Sequence, residues 1–295
     1  KPAPQASSRK DSSTDTPVDL SALKGINARG KVQVGALQVR GLKLADLNAQ
    51  IQAANGRVAV APHSAKGSEG TIAGELVVDA NKNHVALKEK LTGVAIGPIL
   101  RDFAQQDKLE GKGDIALDVN TAGASVNAMK RALAGTASVK LRDGAVKGVN
   151  LGEILRKTRT ALGGSPSAAQ GESAGDKTQR TDFSELSASF VIKNGVAHNE
   201  DLDAKAPLFR LGGAGDINIG SSSLNYLAKA SVVGTSKGQG GAERDRLAGL
   251  TVPVRLSGAF DDLKYEVDYK ALGKDAAKSE VGAKVKDKLK GLLGR

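Results

Sequence analysis

The sequence predicts a mainly β protein: an elongated, curled antiparallel sheet with an apolar groove (a half-open β structure), a few short helices and a C-terminal amphipathic helix. Three observations predict it. Short runs alternate apolar and polar residues, as in Ile115-Ala116-Leu117-Asp118-Val119, and a period of two marks a strand with one face buried. Glycine returns between the runs, 36 times in 295 residues, sometimes as Asn55-Gly56, Asp143-Gly144 or Asn194-Gly195, pairs that turn one strand back onto the next. Aromatic residues make up only 3% and Trp is absent, so bulky side chains to fill a conventional core are scarce. Hairpins in series give an antiparallel sheet with one apolar and one wet face.

Residues 1–17 are Pro, Ser, Thr and charge with almost nothing to bury, and read as a disordered linker. A β domain follows over 18–270. Its first strands are Gly30–Val34, Ala36–Val39, Leu42–Leu44 and Leu47–Ala53, then Arg57–Val60, Glu69–Val78 and 85–91, with Leu109–Val119 beyond. Pro98–Ala104 switches to helical spacing, with Pro near a first turn. Ser125–Leu133, ended by Gly135, and Leu151–Leu162 are two more short helices. Residues 163–181 lack apolar periodicity and read as a mobile loop, as do 234–246. Between them run Leu186–Ile192, Val196 onward, Phe209–Ile219 and Leu224–Val232; after them come Thr251–Gly258 and Leu263–Tyr269. Pro253 favours an edge position or a bulge.

Residues 271–295 form a basic amphipathic helix. Val281, Val285, Leu289, Leu292 and Leu293 share a stripe roughly 120° wide, with Lys284, Lys286 and Lys290 off it. This helix either caps the last strands or lies on an anionic membrane surface or a partner; its composition suits both.

Composition narrows the function. Cysteine is absent, which excludes disulfides and Cys-metal sites and is compatible with an oxidising compartment. A net charge of +11 suggests an anionic partner, nucleic acid or a lipid surface. Aromatic residues for base stacking are missing from the basic segments, which argues against nucleic acid. No 18-residue apolar run is present, so this stretch holds no spanning helix. The chain starts at Lys1 without Met and reads as a fragment or a processed chain.

Chemistry-bearing motifs are equally sparse. Gly212-Gly213-Ala214-Gly215 runs into a strand rather than a helix, so it reads as a tight sheet turn or bulge and not a phosphate loop. His63, His84 and His198 have no metal-ligand spacing. His198-Asn199-Glu200-Asp201-Leu202-Asp203 lacks the calcium-loop pattern and reads as a solvated turn. Neither a serine elbow nor a triad is present. The sequence calls for no catalytic residue, no metal and no cofactor, and is not expected to be an enzyme.

Four blocks of residues resemble a known family. They are Val18–Leu23 through Leu37, Leu42, Leu44 and Leu47 to Asn55–Val58; Leu109–Gly113, Asn127–Met129, Ala132–Gly135 and Asp143–Leu151; Thr181–Leu186, Asn194-Gly195 and Leu211–Ile217; and Leu250–Gly258. In order and spacing they resemble the C-terminal region of the AsmA family of Gram-negative envelope proteins, over about residues 18–270. That resemblance implies a periplasmic protein anchored to the inner membrane through an N-terminal helix absent from this stretch. It also implies kinship with TamB-like proteins, elongated half-open β structures whose groove carries phospholipid toward the outer membrane. The missing anchor and N-terminal repeats are where this chain departs from the family pattern.

The expectation is therefore a section of a bridge-like lipid-transfer protein, supporting outer-membrane biogenesis. Acyl chains would lie on the inner face, for which Leu186, Ala188, Phe190, Ile192, Ile217, Ile219, Tyr226, Val252 and Val254 are the candidates. Alternation alone leaves open whether these line a groove or fill a closed core. Expected partners are phospholipid, a membrane surface and outer-membrane or periplasmic proteins. The rival is a non-lipid scaffold that assists outer-membrane protein assembly through its sheet edges. A nucleic-acid binder is the third.

Overall fold

Two hairpin turns show how the sequence sets the register. Asn55 and Gly56 have φ of 52° and 75°, and Asn194 and Gly195 have 50° and 74°. Paired positive φ values match the twist of the flanking strands, which is why Asn-Gly is selected there. In this computed structural model, residues 15–39, 41–163, 173–174, 179–207, 209–233 and 251–269 are described.

The strands are β1 (Ala28–Val39), β2 (Leu42–Ala54), β3 (Arg57–Gly67), β4 (Gly70–Asp79), β5 (His84–Ala95), β6 (Leu109–Ala122) and β7 (Ala134–Lys147). They continue as β8 (Ser173–Ala174), β9 (Arg180–Lys193), β10 (Val196–Lys205), β11 (Phe209–Asn218), β12 (Ser223–Val232), β13 (Thr251–Ala259) and β14 (Asp262–Val267). Three short helices interrupt them: α1 (Ile96–Ile99), prolonged by a π-helical turn over Leu100–Ala104, α2 (Val126–Ala132) and α3 (Leu151–Gly163). The mainly β antiparallel architecture expected from the alternation is what forms.

All fourteen strands join one antiparallel sheet, in chain order except that β8 pairs beyond β14. That exception forces the sheet to curl. On a flat sheet β8 would lie six strand spacings from β9, roughly 29 Å. Ala174 and Arg180 are six residues apart in the chain, a reach of roughly 21 Å at full extension. The β9–β14 part must therefore bend round to bring its last strand back toward its first.

One face of the sheet, the inner face, carries the core. Leu91, Ile115, Leu141, Leu186, Leu211, Ala228, Val252 and Val254 all lie on it and join one buried cluster. Ile96 from α1 and Leu151 and Ile154 from α3 join that cluster, so these helices roof the inner face. Side chains anchor the start of α3: Asn150 Oδ1 accepts from Glu153 N at 2.9 Å, and Thr181 Oγ1 accepts from Leu151 N at 3.0 Å. Each satisfies an amide that the first helical turn leaves without a partner.

Several elements differ in detail from the sequence reading. Val34 and Leu37 belong to one strand, not two, because β1 and β2 change phase together: Val34 faces Leu47, Leu37 faces Leu44, and Asp46 takes up the slip at φ 52°. Gly212–Gly215 is not a turn. It lies inside β11, opposite a bulge of β10 between Asn199 and Leu202. Pro253 is not on an edge strand, since β13 lies between β12 and β14. Its carbonyl accepts from Asp268 N at 2.9 Å, where β14 has run out, so the missing N–H of Pro253 faces a spent ladder.

Within the expected loop 163–181, Gly163 ends α3, Ser173 and Ala174 pair with Tyr265 and Lys264, and Arg180 and Thr181 open β9. Within the expected linker, Asp15 accepts from Ser125 Oγ and Asn127 N, and Pro17 bridges Ser125. The expected loop 234–246 and the C-terminal helix with Val281, Lys284, Val285, Lys286, Leu289, Lys290, Leu292 and Leu293 lie outside the described residues.

Candidate functional site on the inner face

Residues directly opposite in an antiparallel pair share a face, so the register assigns every candidate. Leu186, Ala188, Phe190 and Ile192 stand on the inner side of β9, Ile217 on β11, Tyr226 on β12, and Val252 and Val254 on β13. Ile219 lies one residue past the end of β11, where its N–H donates to Gly195 O at 2.8 Å. Burial divides the set. Val252 and Val254 are 1% and 0% exposed and, with Leu186, belong to the cluster beneath α3. Ala188, Ile192 and Tyr226 are buried outside that cluster. Phe190, Ile217 and Ile219 are half-buried.

The inner face is apolar well beyond these positions. On β1 and β2 it presents Val32, Val34, Leu37, Val39, Leu44, Leu47 and Ile51. Among the described residues no helix covers this end, and Val32, Leu37 and Val39 are 36%, 38% and 39% exposed. The sequence reading left these residues off the candidate list although their alternation was visible.

Two polar bridges cross this face, each over a glycine. His63, Gly74 and Glu89 are in register on β3, β4 and β5. Gly74 has no Cβ to block the path, and Glu89 Oε1 reaches His63 Nε2 at 2.7 Å. The two side chains are 9% and 14% exposed. His63 Nδ1 lies 3.1 Å from Val60 O, a carbonyl that can only accept, so that nitrogen carries a proton. A second proton must then sit between Nε2 and Oε1, and the pair is neutral overall whichever atom holds it. Burial pushes the Glu89 carboxyl above its ordinary range, opposed by the nearby His63. The other oxygen, Oε2, is buried without a hydrogen-bond partner.

The second bridge is complete. Asn199, Gly215 and Tyr226 are in register on β10, β11 and β12. Gly213 and Gly215 form a flat bed; a Cβ on Gly213 would come within 2.7 Å of the Tyr226 ring. The Tyr226 hydroxyl donates to Asn199 Oδ1. Asn199 Nδ2 donates to Ser189 O at 2.7 Å and Asp201 Oδ1 at 2.6 Å. Asp201 also accepts from Ser189 Oγ at 2.5 Å and from Ser189 N at 2.8 Å, and these hydrogen bonds from Ser189 hold its carboxyl below the usual range. Burial pushes the Tyr226 phenol up. Asn199 is therefore not part of a solvated turn: it is 1% exposed and fixes the β10 bulge.

A hollow of about 560 Å³ lies on the opposite, outer face. Two register-matched outward rows flank it: Ala73, Lys90, Ala116, Ser138 and Ser189 on one side, Glu75, Lys88, Asp118, Thr136 and Val191 on the other. Gly74, Glu89, Leu117, Ala137 and Phe190 form the row between them. The neighbouring inner-face residues, such as Leu87, Val119 and Val139, do not line it. The outer face also carries His198, 2.7 Å from Asp216 and 3.1 Å from Glu200. Hydrogen bonds to these carboxylates raise the His198 pKa. Among the described residues, no group of three or more His, Cys, Asp or Glu is placed to hold a metal, and no helix is long and apolar enough to cross a membrane.

Fold and face together define a class: an open, curled antiparallel β scaffold, apolar along its inner face and, among the described residues, roofed by short helices over part of its length. Within that class the chain belongs to the AsmA family, whose profile matches residues 1–202. It is 24% identical over 288 residues to Protein AsmA of Escherichia coli (strain K12), covering 97% of this chain and 45% of that protein. The chain thus spans a little under half the length of the curated relative it matches. No solved structure matches it.

Proposed function

We propose that this chain is a periplasmic section of a bridge that carries phospholipid between the inner and outer membranes. Family membership supports an envelope-related role. The observation that carries the finer reading is the partly roofed inner face: Val32, Leu37 and Val39 stand exposed on the same face that buries Leu186 and Val254. An acyl chain laid on such a face is stabilised by about 0.8 kcal/mol per buried CH₂. Repeated, similar apolar positions give it no single deep minimum, so it slides, while the headgroup stays in water at the open side. Phe190, Ile217, Leu117 and the β1–β2 residues are the contacts this mechanism uses. Val252 and Val254 stand on the same face, closed into the cluster beneath α3.

The test is native mass spectrometry of the purified chain with lipid extraction. Phospholipid should co-purify and be lost in Phe190→Asp and Leu37→Asp variants that keep a native β circular dichroism spectrum. Leu37 is exposed enough that its substitution spares the fold, so it tests the face even if Phe190→Asp unfolds. A lipid-free chain that also takes up no labelled phospholipid would overturn the reading in favour of a protein-binding scaffold.

A further inference from the structure

The lipid reading leaves the His63–Glu89 bridge without a role. Its surroundings are uniformly apolar. Ala49 on β2 and Leu117 on β6 continue its row at either end. The inner-face rows beside it are Val60–Leu76–Leu87–Val119 and Ala65–Ile72–Leu91–Ile115. Among the described residues, no other charged or titratable side chain faces the bridge from β2, β3, β4, β5 or β6. Glu75, Lys88, Lys90 and Asp118 stand on the outer face. Asp46 is engaged by Lys66 at 2.8 Å, both of them exposed. From the turn beyond α1, Asp102 lies against Gly41, where a Cβ would come within 2.5 Å of its carboxylate, and Arg101 lies by Gly97.

Proton arithmetic makes this bridge conditional. It holds two protons: one on Nδ1, committed to Val60 O, and one shared between Nε2 and Oε1. Without the shared proton, the Nε2 lone pair faces a carboxylate oxygen at 2.7 Å, two acceptors with no donor between them. Oε2 has no donor to begin with, so the whole carboxylate would then be buried, charged and unpaired. The apolar rows around it supply no replacement. A group in that state takes water or leaves the interior.

We infer that the His63–Glu89 bridge is a proton-operated switch on the lipid face; the inference rests on the reading of that face as a lipid surface. With the shared proton in place the bridge is neutral and closed, and acyl chains meet no charge between β2 and β6. When that proton leaves, Glu89 turns to water and sets a hydrated carboxylate across their path. Gly74 makes both states available, because it has no side chain to wedge the bridge open or shut. Lipid therefore binds the closed form, and rising pH releases it with the loss of one proton.

Equilibrium binding of a phosphatidylcholine with a fluorescent tail, whose headgroup does not titrate in the range used, measures this on the full 295-residue chain. The range runs from about pH 6, near the ordinary histidine value, to about pH 9.5. Above the midpoint of the bridge, wild-type affinity should fall about tenfold per pH unit, the slope for one proton. The His63 ring nitrogens, followed by NMR, should titrate with the same midpoint. In Glu89→Gln the amide closes the bridge without the shared proton, and affinity should vary less than about twofold over the same range. His198→Asn, on the outer face, should behave like wild type. Constant wild-type affinity, a parallel loss in Glu89→Gln, or a β circular dichroism signal that vanishes in step with the lipid would each overturn the switch and leave the lipid surface standing. Failure to bind lipid at any pH would overturn the lipid surface, and the switch with it.

Discussion

The bridge over Gly215 and the bridge over Gly74 are built alike and end differently. In both, a glycine on the middle strand lets polar side chains from the strands on either side meet on the inner face. In the β9–β14 part, the Asn199–Tyr226 bridge sits next to strands closed under α3, and every polar atom in it has a partner. In the β3–β5 part, away from α3, Glu89 keeps one oxygen without a partner. The strands of both parts alternate equally well. What separates a closed core from an open face is the helix laid over one of them, and α3 is placed by Asn150 and by Thr181 at the start of β9, not by the alternation of the strands it covers.

The largest expected effect breaks the closed part. Val254→Asp puts an unpaired charge at a site with 0% exposure and should cost about 3–5 kcal/mol. The same change at Val32, on the same face but 36% exposed, should stay within about 0.5 kcal/mol. Thermal unfolding followed by circular dichroism compares the two, and similar losses would show that both ends are equally closed.

The bridges separate next. Asn199→Ala leaves the buried Tyr226 hydroxyl without its acceptor, and denaturant unfolding should show a loss of about 1–3 kcal/mol. Glu89→Gln should change stability by less than about 1 kcal/mol, because an amide donates to the free Nε2 of a His63 that is neutral and protonated at Nδ1. It removes a charge that burial already disfavours.

Titration sharpens the contrast. The Glu89 carboxyl is raised in the folded chain, so the fold holds that proton more tightly than the unfolded chain does. Its contribution is full below the ordinary carboxyl value of 4.5 and is lost as pH rises through the raised one. Wild type should therefore lose stability relative to Glu89→Gln as pH climbs above 4.5; parallel pH profiles would sink that account. The smallest effect belongs to His198 on the outer face, also raised. The stability it gives is full below 6.5 and fades as pH rises through its folded value. Melting temperatures of wild type and His198→Asn should converge toward alkaline pH.

Much of this was legible in the sequence. Asn55-Gly56 and Asn194-Gly195 fixed two hairpins, and the alternation of β9 placed Leu186, Ala188, Phe190 and Ile192 on one face. Leu151–Leu162 read as a helix, but nothing local says that a helix will roof a sheet. Gly213 and Gly215 read as a turn or a bulge; a bulge does lie opposite them, but their other reason, the Tyr226 ring, comes from a neighbouring strand. Asn199 read as solvated because its partner lies 27 residues away. Glu89 did leave a signal: a charge at the apolar phase of Leu87-Lys88-Glu89-Lys90-Leu91 asks for a buried partner, and His63 is at the matching phase of β3.

The two-residue strand β8 has a mechanical consequence. A sheet whose strands follow chain order, pulled by its ends, opens like a zipper, with the load falling on one ladder of hydrogen bonds at a time. Among the described residues β1 pairs with one strand, β2, along a single ladder. At the other end β14 is held by β13 and clasped by Ser173 and Ala174, so tension must undo two ladders before that end gives. Under load the β14 side is the locked one, and six residues of β14, with two of β8 across from them, make it so.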